Sequence, residues 1–208
     1  MNMVLDNMAV IPAEMLLAIV QIIAEVDATG SASPVTFSMF QNLLVELTKI
    51  KGRLLAKDPS LTPQEIARVQ TVLPYNLDAW DGYPVEREIL YGMAKGKKLI
   101  ALSGDSHNGW YSNLVSQDKS LAGKELATSS VTSPGFEEYL GAEPASLAGF
   151  EQALALLVDH LNYLDASRRG YVLVKVSQMQ LTAEWRYVST ILSETTSTVV
   201  GHSETITA

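Results

Sequence analysis

Leu99-Ile-Ala-Leu102 is followed by Ser103 and then by Gly104-Asp105-Ser106-His107-Asn108, which sets a carboxylate and an imidazole two residues apart at the end of a short apolar run. A run of that length, bounded by Lys98 and Gly104, predicts a buried strand. The turn just past the carboxyl end of a strand is where open α/β sheets bind their ligands, and Gly104 allows a close backbone approach there. A mixed oxygen and nitrogen pair suits Mn, Fe or Zn. Such an ion bridges a phosphoryl group, neutralises its charge and lowers the pKa of a water toward neutrality. Two ligands do not hold two metals, and a lone Asp-x-His in a loop is more often a turn with a hydrogen-bonded histidine than a metal site. His160, in an expected helix, and His202, in a polar tail, read as ordinary surface or core histidines.

Composition bounds what surrounds this pair. The chain has 208 residues, 47% apolar and 18% charged, a balance that favours a folded globular protein. Its formal charge is −8 and no Lys/Arg cluster occurs, which excludes a nucleic-acid surface. A bound phosphate would need metals to carry the positive charge. With no cysteine there is no disulfide, no thiolate nucleophile and no Cys-ligated zinc. The apolar stretch Met8 to Val26 contains Pro12, Glu14 and Glu25 and follows no basic residue, so it is neither a membrane span nor a signal peptide.

The elements that must position the pair follow from periodicity. Helices are predicted over Glu14–Val26, Thr36–Ala56 and from Pro63 to before Pro74, the last with Thr62 as N-cap and Glu65 closing a capping box. This first third, residues 1–73, is helical and short of reactive groups, as suits an insertion or cover. From Pro74 the chain turns aromatic and acidic, a loop that runs into a short helix, Val85–Met93. A strand is expected over Glu125–Val131, a helix over Leu147–Leu164, and a strand pair over Gly170–Val176 and Leu181–Ile191. The Ser/Thr-rich stretch after Ser193 predicts a frayed or incomplete strand.

Several blocks taken together resemble the PhoD-like phosphatase family in identity and order: Leu77-Asp78-Ala-Trp80-Asp81-Gly82-Tyr83-Pro-Val-Glu-Arg87, Leu102-Ser-Gly104-Asp105-Ser-His107-Asn108, Ala127-Thr-Ser-Ser-Val-Thr-Ser133-Pro134-Gly135, Arg169-Gly170-Tyr171 and Ala183-Glu-Trp185-Arg186-Tyr-Val. The resemblance implies an α/β (α+β) fold, part of a metallophosphoesterase-like αββα sandwich with two mixed sheets between helices, in which residues 1–73 form an N-terminal helical insertion and 74–208 the C-terminal part of the phosphatase domain. It implies a phosphoester hydrolase with a two-metal centre of Fe, Ca, Mn or Zn, for which Asp105 and His107 are ligands and Asn108 orients phosphate or a ligand. Trp80 and Tyr83 read as packing residues and Asp78 as support behind the ligands. Arg87 fixes its loop by a salt bridge, and Arg169 does the same before the last hairpin. Ser129 and Ser130 either line the pocket or are plain strand residues.

Met3-Val4-Leu5 and Ile11-Pro12 resemble a segment from the middle of the family's domain. The expectation is therefore that the remaining acidic ligands and the phosphate-binding group are encoded in an N-terminal half, that this chain alone is inactive, and that the missing half is a partner. Periplasmic or extracellular placement follows by family analogy. The competing reading is a non-catalytic interaction or scaffold module built on the same fold.

Overall fold

A computed structural model describes residues 10–143, 146–194 and 197–207; the Met3-Val4-Leu5 block lies outside them. Helix α1 (Ala13–Thr29) buries Met15, Ile19 and Ile22, spaced four and three residues apart on one stripe. It stops at Gly30, whose φ of 83° lets its N–H reach back to the Val26 carbonyl at 2.7 Å. Helix α2 (Pro34–Leu55) starts on Ser33, whose hydroxyl caps the Thr36 N–H, and buries Phe40, Leu44, Leu47 and Ile50. Helix α3 (Pro63–Gln70) carries the expected capping box between Thr62 and Glu65. The two ends of this helical excursion meet: strand β1 (Val10–Pro12) pairs antiparallel with β2 (Val72–Pro74).

The rest of the chain builds two sheets. Strands β3 (Leu99–Ser103), β4 (Gly109–Val115), β5 (Leu121–Ala127) and β6 (Leu161–Asp165) form a mixed sheet in the order β3-β5-β4-β6, with β3 parallel to β5 and β4 antiparallel to both neighbours. Strands β7 (Gly170–Val176), β8 (Gln180–Val188) and β9 (Thr198–Thr207) form an antiparallel meander. Helix α4 (Pro84–Met93) precedes β3, and α5 (Phe136–Tyr139) and α6 (Ala148–Leu157) lie between β5 and β6.

Alternation along β4 sorts the layers. Trp110 points into the core that α1, α2 and α6 share with β6, while Tyr111 points into the second core with Trp185 and Tyr187 of β8. Helices, mixed sheet and meander are thus stacked in that order. Trp185 is fully buried and donates its indole N–H to the Ala127 carbonyl at 2.9 Å, which ties the meander to the end of β5. Among the described residues no helix is long and apolar enough to cross a membrane.

Several expectations are corrected. The predicted helix Leu147–Leu164 ends at Leu157, and its last residues form β6, because Leu161 and Leu164 are needed on the sheet face that α6 covers. Strand β5 lies earlier than expected, at Leu121–Ala127, and β4 fills a stretch with no assigned element. The Ser/Thr-rich tail is a full ten-residue strand, paired with β8 from Thr198 to Thr207; β-branched Thr and Val suit a pleated surface even where the stretch is polar. Strand β3 is an edge strand with Ala101 buried and Leu102 64% exposed, so it is not a buried strand. The mixed sheet expected from the family resemblance is present as β3-β5-β4-β6, and the meander beside it is antiparallel throughout.

His202 of β9 lies flat on Tyr163, with ring centroids 4.2 Å apart and planes at 10°. Its Nε2 is buried without a hydrogen bond, 3.7 Å from a Glu204 oxygen. Burial holds its pKa below the ordinary 6.5, against the smaller opposing pull of Glu204. The folded chain therefore favours the neutral ring, and the unfolded chain binds more protons once the pH drops below 6.5. Urea midpoints measured against pH should show a stability contribution that is full above that value and lost below it. In His202→Gln this component of the acid decline should disappear; an unaltered decline would contradict it.

Candidate metal centre at the sheet edge

Strands β3 and β5 run parallel, so their carboxyl ends, Ser103 and Ala127, lie side by side. Strand β4 begins at this edge, and the last residue of β6, Asp165, pairs with Gly109. The segments 104–108, 128–135 and 166–169 consequently converge there. Backbone hydrogen bonds stitch them together: Thr128 N–H to Ser103 O at 2.9 Å, Phe136 N–H to Ala166 O at 3.0 Å and Gly170 N–H to Ser130 O at 2.9 Å. Gly170 is required at that junction, because a Cβ would stand 1.9 Å from the Arg186 carbonyl oxygen.

Asp105 and His107 both sit on the 104–108 segment in the left-handed region, with φ of 73° and 60°. Such backbone costs an L-residue about 1–2 kcal/mol, and outliers of this kind cluster at functional sites. Gly104, by contrast, would meet only Thr128 Cγ2 at 3.6 Å if given a Cβ, so the tight geometry lies at the two reactive residues and not at the glycine. Asp105 is exposed and His107 is half-buried. His107 Nδ1 is 2.9 Å from the Pro134 carbonyl. A carbonyl only accepts, so Nδ1 carries the proton in the neutral ring and Nε2 keeps a lone pair. A metal-ligating histidine shows the same arrangement, its second nitrogen donating to a carbonyl or carboxylate. The donor set thus fits a cation at His107 Nε2 with Asp105 as oxygen ligand. Among the described residues no group of three His, Asp or Glu side chains forms a complete metal cage.

Behind the pair the loop is braced from the interior. Asn108, 3% exposed, donates from Nδ2 to the Ser106 carbonyl at 2.6 Å and accepts the Phe136 N–H at Oδ1 at 3.2 Å. Trp110 donates its indole N–H to Ser106 Oγ at 2.9 Å. Arg169, 4% exposed, pairs with the buried Glu137. Ser129 is buried, and the Ser130 hydroxyl accepts from the Thr132 and Ser133 N–H groups.

Asp105, His107, Asn108 and Arg169 are therefore brought to one edge. Asp78, Trp80, Tyr83 and Arg87 lie on the stretch before β3. Trp80 packs with Tyr91, Ala101 and Leu114, Arg87 is paired with the buried Asp81, Asp78 is exposed, and Tyr83 is 49% exposed. Gly82 of that block cannot carry a side chain, since a Cβ would lie 1.9 Å from the Leu77 carbonyl oxygen. Glu137 and Asp165 escaped sequence reasoning. Asp165 organises the turn after β6 by accepting the Arg168 N–H at 2.9 Å and pairing with its guanidinium at 2.5 Å. The Pro134-Gly135 turn signal was the available pointer to Glu137, two residues on.

The model of the PhoD-like phosphatase family matches residues 13–185. Alkaline phosphatase D of Bacillus subtilis (strain 168) is 32% identical over 119 residues, covering 54% of this chain and 19% of that protein. A solved structure of PhoD superposes with a TM-score of 0.50 at 24% identity, over 65% of this chain and 26% of that one, a likeness of fold. The chain thus spans about a fifth to a quarter of the length of these relatives. The mixed α/β architecture is that of a metallophosphoesterase-like sandwich in part.

Strain at Asp105 gives a direct test. At an ordinary position Gly is no better than Ala, but here Asp105→Gly should be more stable than Asp105→Ala by about 1 kcal/mol. Urea unfolding of the two variants measures this, and the reverse order would contradict the left-handed backbone.

Proposed function

We propose, for a chain that belongs to the PhoD-like phosphatase family, that Asp105 and His107 are part of a metal centre that hydrolyses phosphoesters. Phosphatases of this family are metal-dependent, and the substrate class is a phosphoester. The observation that carries the assignment is the His107 Nδ1 hydrogen bond to Pro134 O, which leaves Nε2 as a lone-pair donor on the short segment that also carries the exposed Asp105.

When bound there, a cation supplies charge neutralisation of the phosphoryl group and activation of water. The chain's own residues do the rest. His107 holds its proton at Nδ1 and offers Nε2, and Asp105 offers an anionic oxygen. Asn108 keeps the segment between them from collapsing by tying Ser106 to Phe136. The acidic balance of the chain does not oppose this, because the metal carries the positive charge that the −8 sequence lacks. Structural and catalytic zinc sites take at least three protein ligands. Two side chains are therefore a share of a centre, and the reading is that further ligands, which no cluster among the described residues supplies, complete it, in two-metal form, with placement outside the cytoplasm by family analogy.

The purified chain, loaded with Mn, Zn, Ca or Fe and desalted, should retain less than one tightly bound ion and should not turn over a chromogenic phosphodiester. What it does retain should be lost in Asp105→Asn and His107→Gln. Robust hydrolysis by the chain alone would contradict the incomplete centre, and retention unchanged in both variants would contradict the ligand assignment.

A further inference from the structure

The peptide unit between Pro134 and Gly135 is held at both poles. Its carbonyl accepts the His107 Nδ1 proton at 2.9 Å, and its N–H donates to Glu137 Oε1 at 3.3 Å. That carboxylate is 8% exposed and is paired with Arg169, whose guanidinium also donates to the Ser167 carbonyl at 2.6 Å. The four groups form a line: guanidinium, carboxylate, peptide, imidazole. An acceptor that draws on a peptide N–H polarises the C=O of the same peptide, and hydrogen bonds in series strengthen one another in a low-dielectric interior.

Steric fit points the same way. A Cβ on Gly135 would stand 2.7 Å from Asn108 Oδ1 and 2.8 Å from both Ala166 O and Glu137 Oε2. Only glycine lets this peptide lie between the carboxylate and the imidazole. A buried ion pair is weak evidence for stability as such, yet here the acidic partner touches the one peptide that orients the candidate ligand.

We propose that Glu137, itself held by Arg169, is a positioning residue for His107: through the Pro134–Gly135 peptide it holds the imidazole as the Nδ1–H tautomer and keeps the Nε2 lone pair available. The purpose of this relay rests on the reading of His107 as a metal ligand, while its geometry does not. It is a longer form of the carboxylate–histidine pairing that orients ligands in metal sites, with a peptide plane placed between the two side chains.

The chain has three histidines, so His160 and His202 serve as internal references. Long-range proton–nitrogen correlation spectra of the 15N-labelled chain, taken where the rings are neutral, read each tautomer directly. In the wild type, His107 should show a protonated Nδ1 and an unprotonated Nε2. In Glu137→Gln the His107 population should shift several-fold toward the Nε2–H form, with His160 and His202 unmoved, and Glu137→Asp should shift it less in the same direction. If Glu137→Gln fails to fold, Glu137→Asp decides. A wild-type His107 already protonated at Nε2, or equal populations in the wild type and the folded variant, would overturn the relay. A separate arm adds Zn²⁺: wild-type His107 resonances that do not respond to it contradict the ligand reading and leave the relay standing.

Discussion

The hydrogen bond from His107 Nδ1 to the Pro134 carbonyl is the constraint on which the edge of the mixed sheet depends. It joins the segment after β3 to the segment after β5, and it decides which imidazole nitrogen is left to act. Because it is made to a backbone carbonyl, it survives many side-chain changes nearby. It does require the Pro134–Gly135 peptide to stay where Asn108, Glu137 and Ala166 press on it. Left-handed backbone at Asp105 and His107 is the cost of presenting both side chains from so short a segment, and the braces from Asn108 and Trp110 offset it.

Larger features of the fold serve to hold these segments still. Parallel pairing of β3 with β5 puts two carboxyl ends together, and antiparallel β4 and β6 bring a strand start and a third carboxyl end to the same edge. The helical layer and the meander then cover opposite faces, with Trp110 committed to one core and Tyr111 and Trp185 to the other. Trp185 reaches the Ala127 carbonyl just before the 128–135 segment begins, so the meander anchors the base of the loop that orients His107. The α1–α3 excursion closes through the β1–β2 pair and adds Met15, Ile19, Ile22, Phe40, Leu44 and Leu47 to the shared core.

Much of this was legible in the sequence where local signals are strong. The three helices of the first third follow from apolar spacing and from the Thr62-Pro63-Gln-Glu65 start, and the Gly104–Asn108 turn follows from an apolar run ending in Gly-Asp. Strands set by long-range pairing were less legible. Leu161–Asp165 continues an apolar stretch that starts as a helix, and only its partner β4 decides that it extends. Strand β9 reads as polar because Thr198, Ser203, Glu204, Thr205 and Thr207 interrupt its apolar residues, and its pairing with β8 makes it a strand. In the site, Asp105 and His107 announced themselves by type and spacing, and the family blocks named Asn108 and Arg169. Glu137 had only the Pro134-Gly135 turn signal to point to it, because its role comes from a turn that brings it under Gly135 and from an arginine 32 positions away in sequence.

The central claim is that one cation is held jointly by His107 Nε2 and the Asp105 carboxylate at this edge. Anomalous diffraction from crystals of the protein grown with Zn²⁺, together with whatever segment supplies the remaining ligands, measures it most directly. The peak should lie about 2.0–2.2 Å from His107 Nε2 and from an Asp105 oxygen, with Nδ1 still on the Pro134 carbonyl. A peak coordinated by other residues, or a His107 ring turned so that Nε2 faces Pro134, would contradict it.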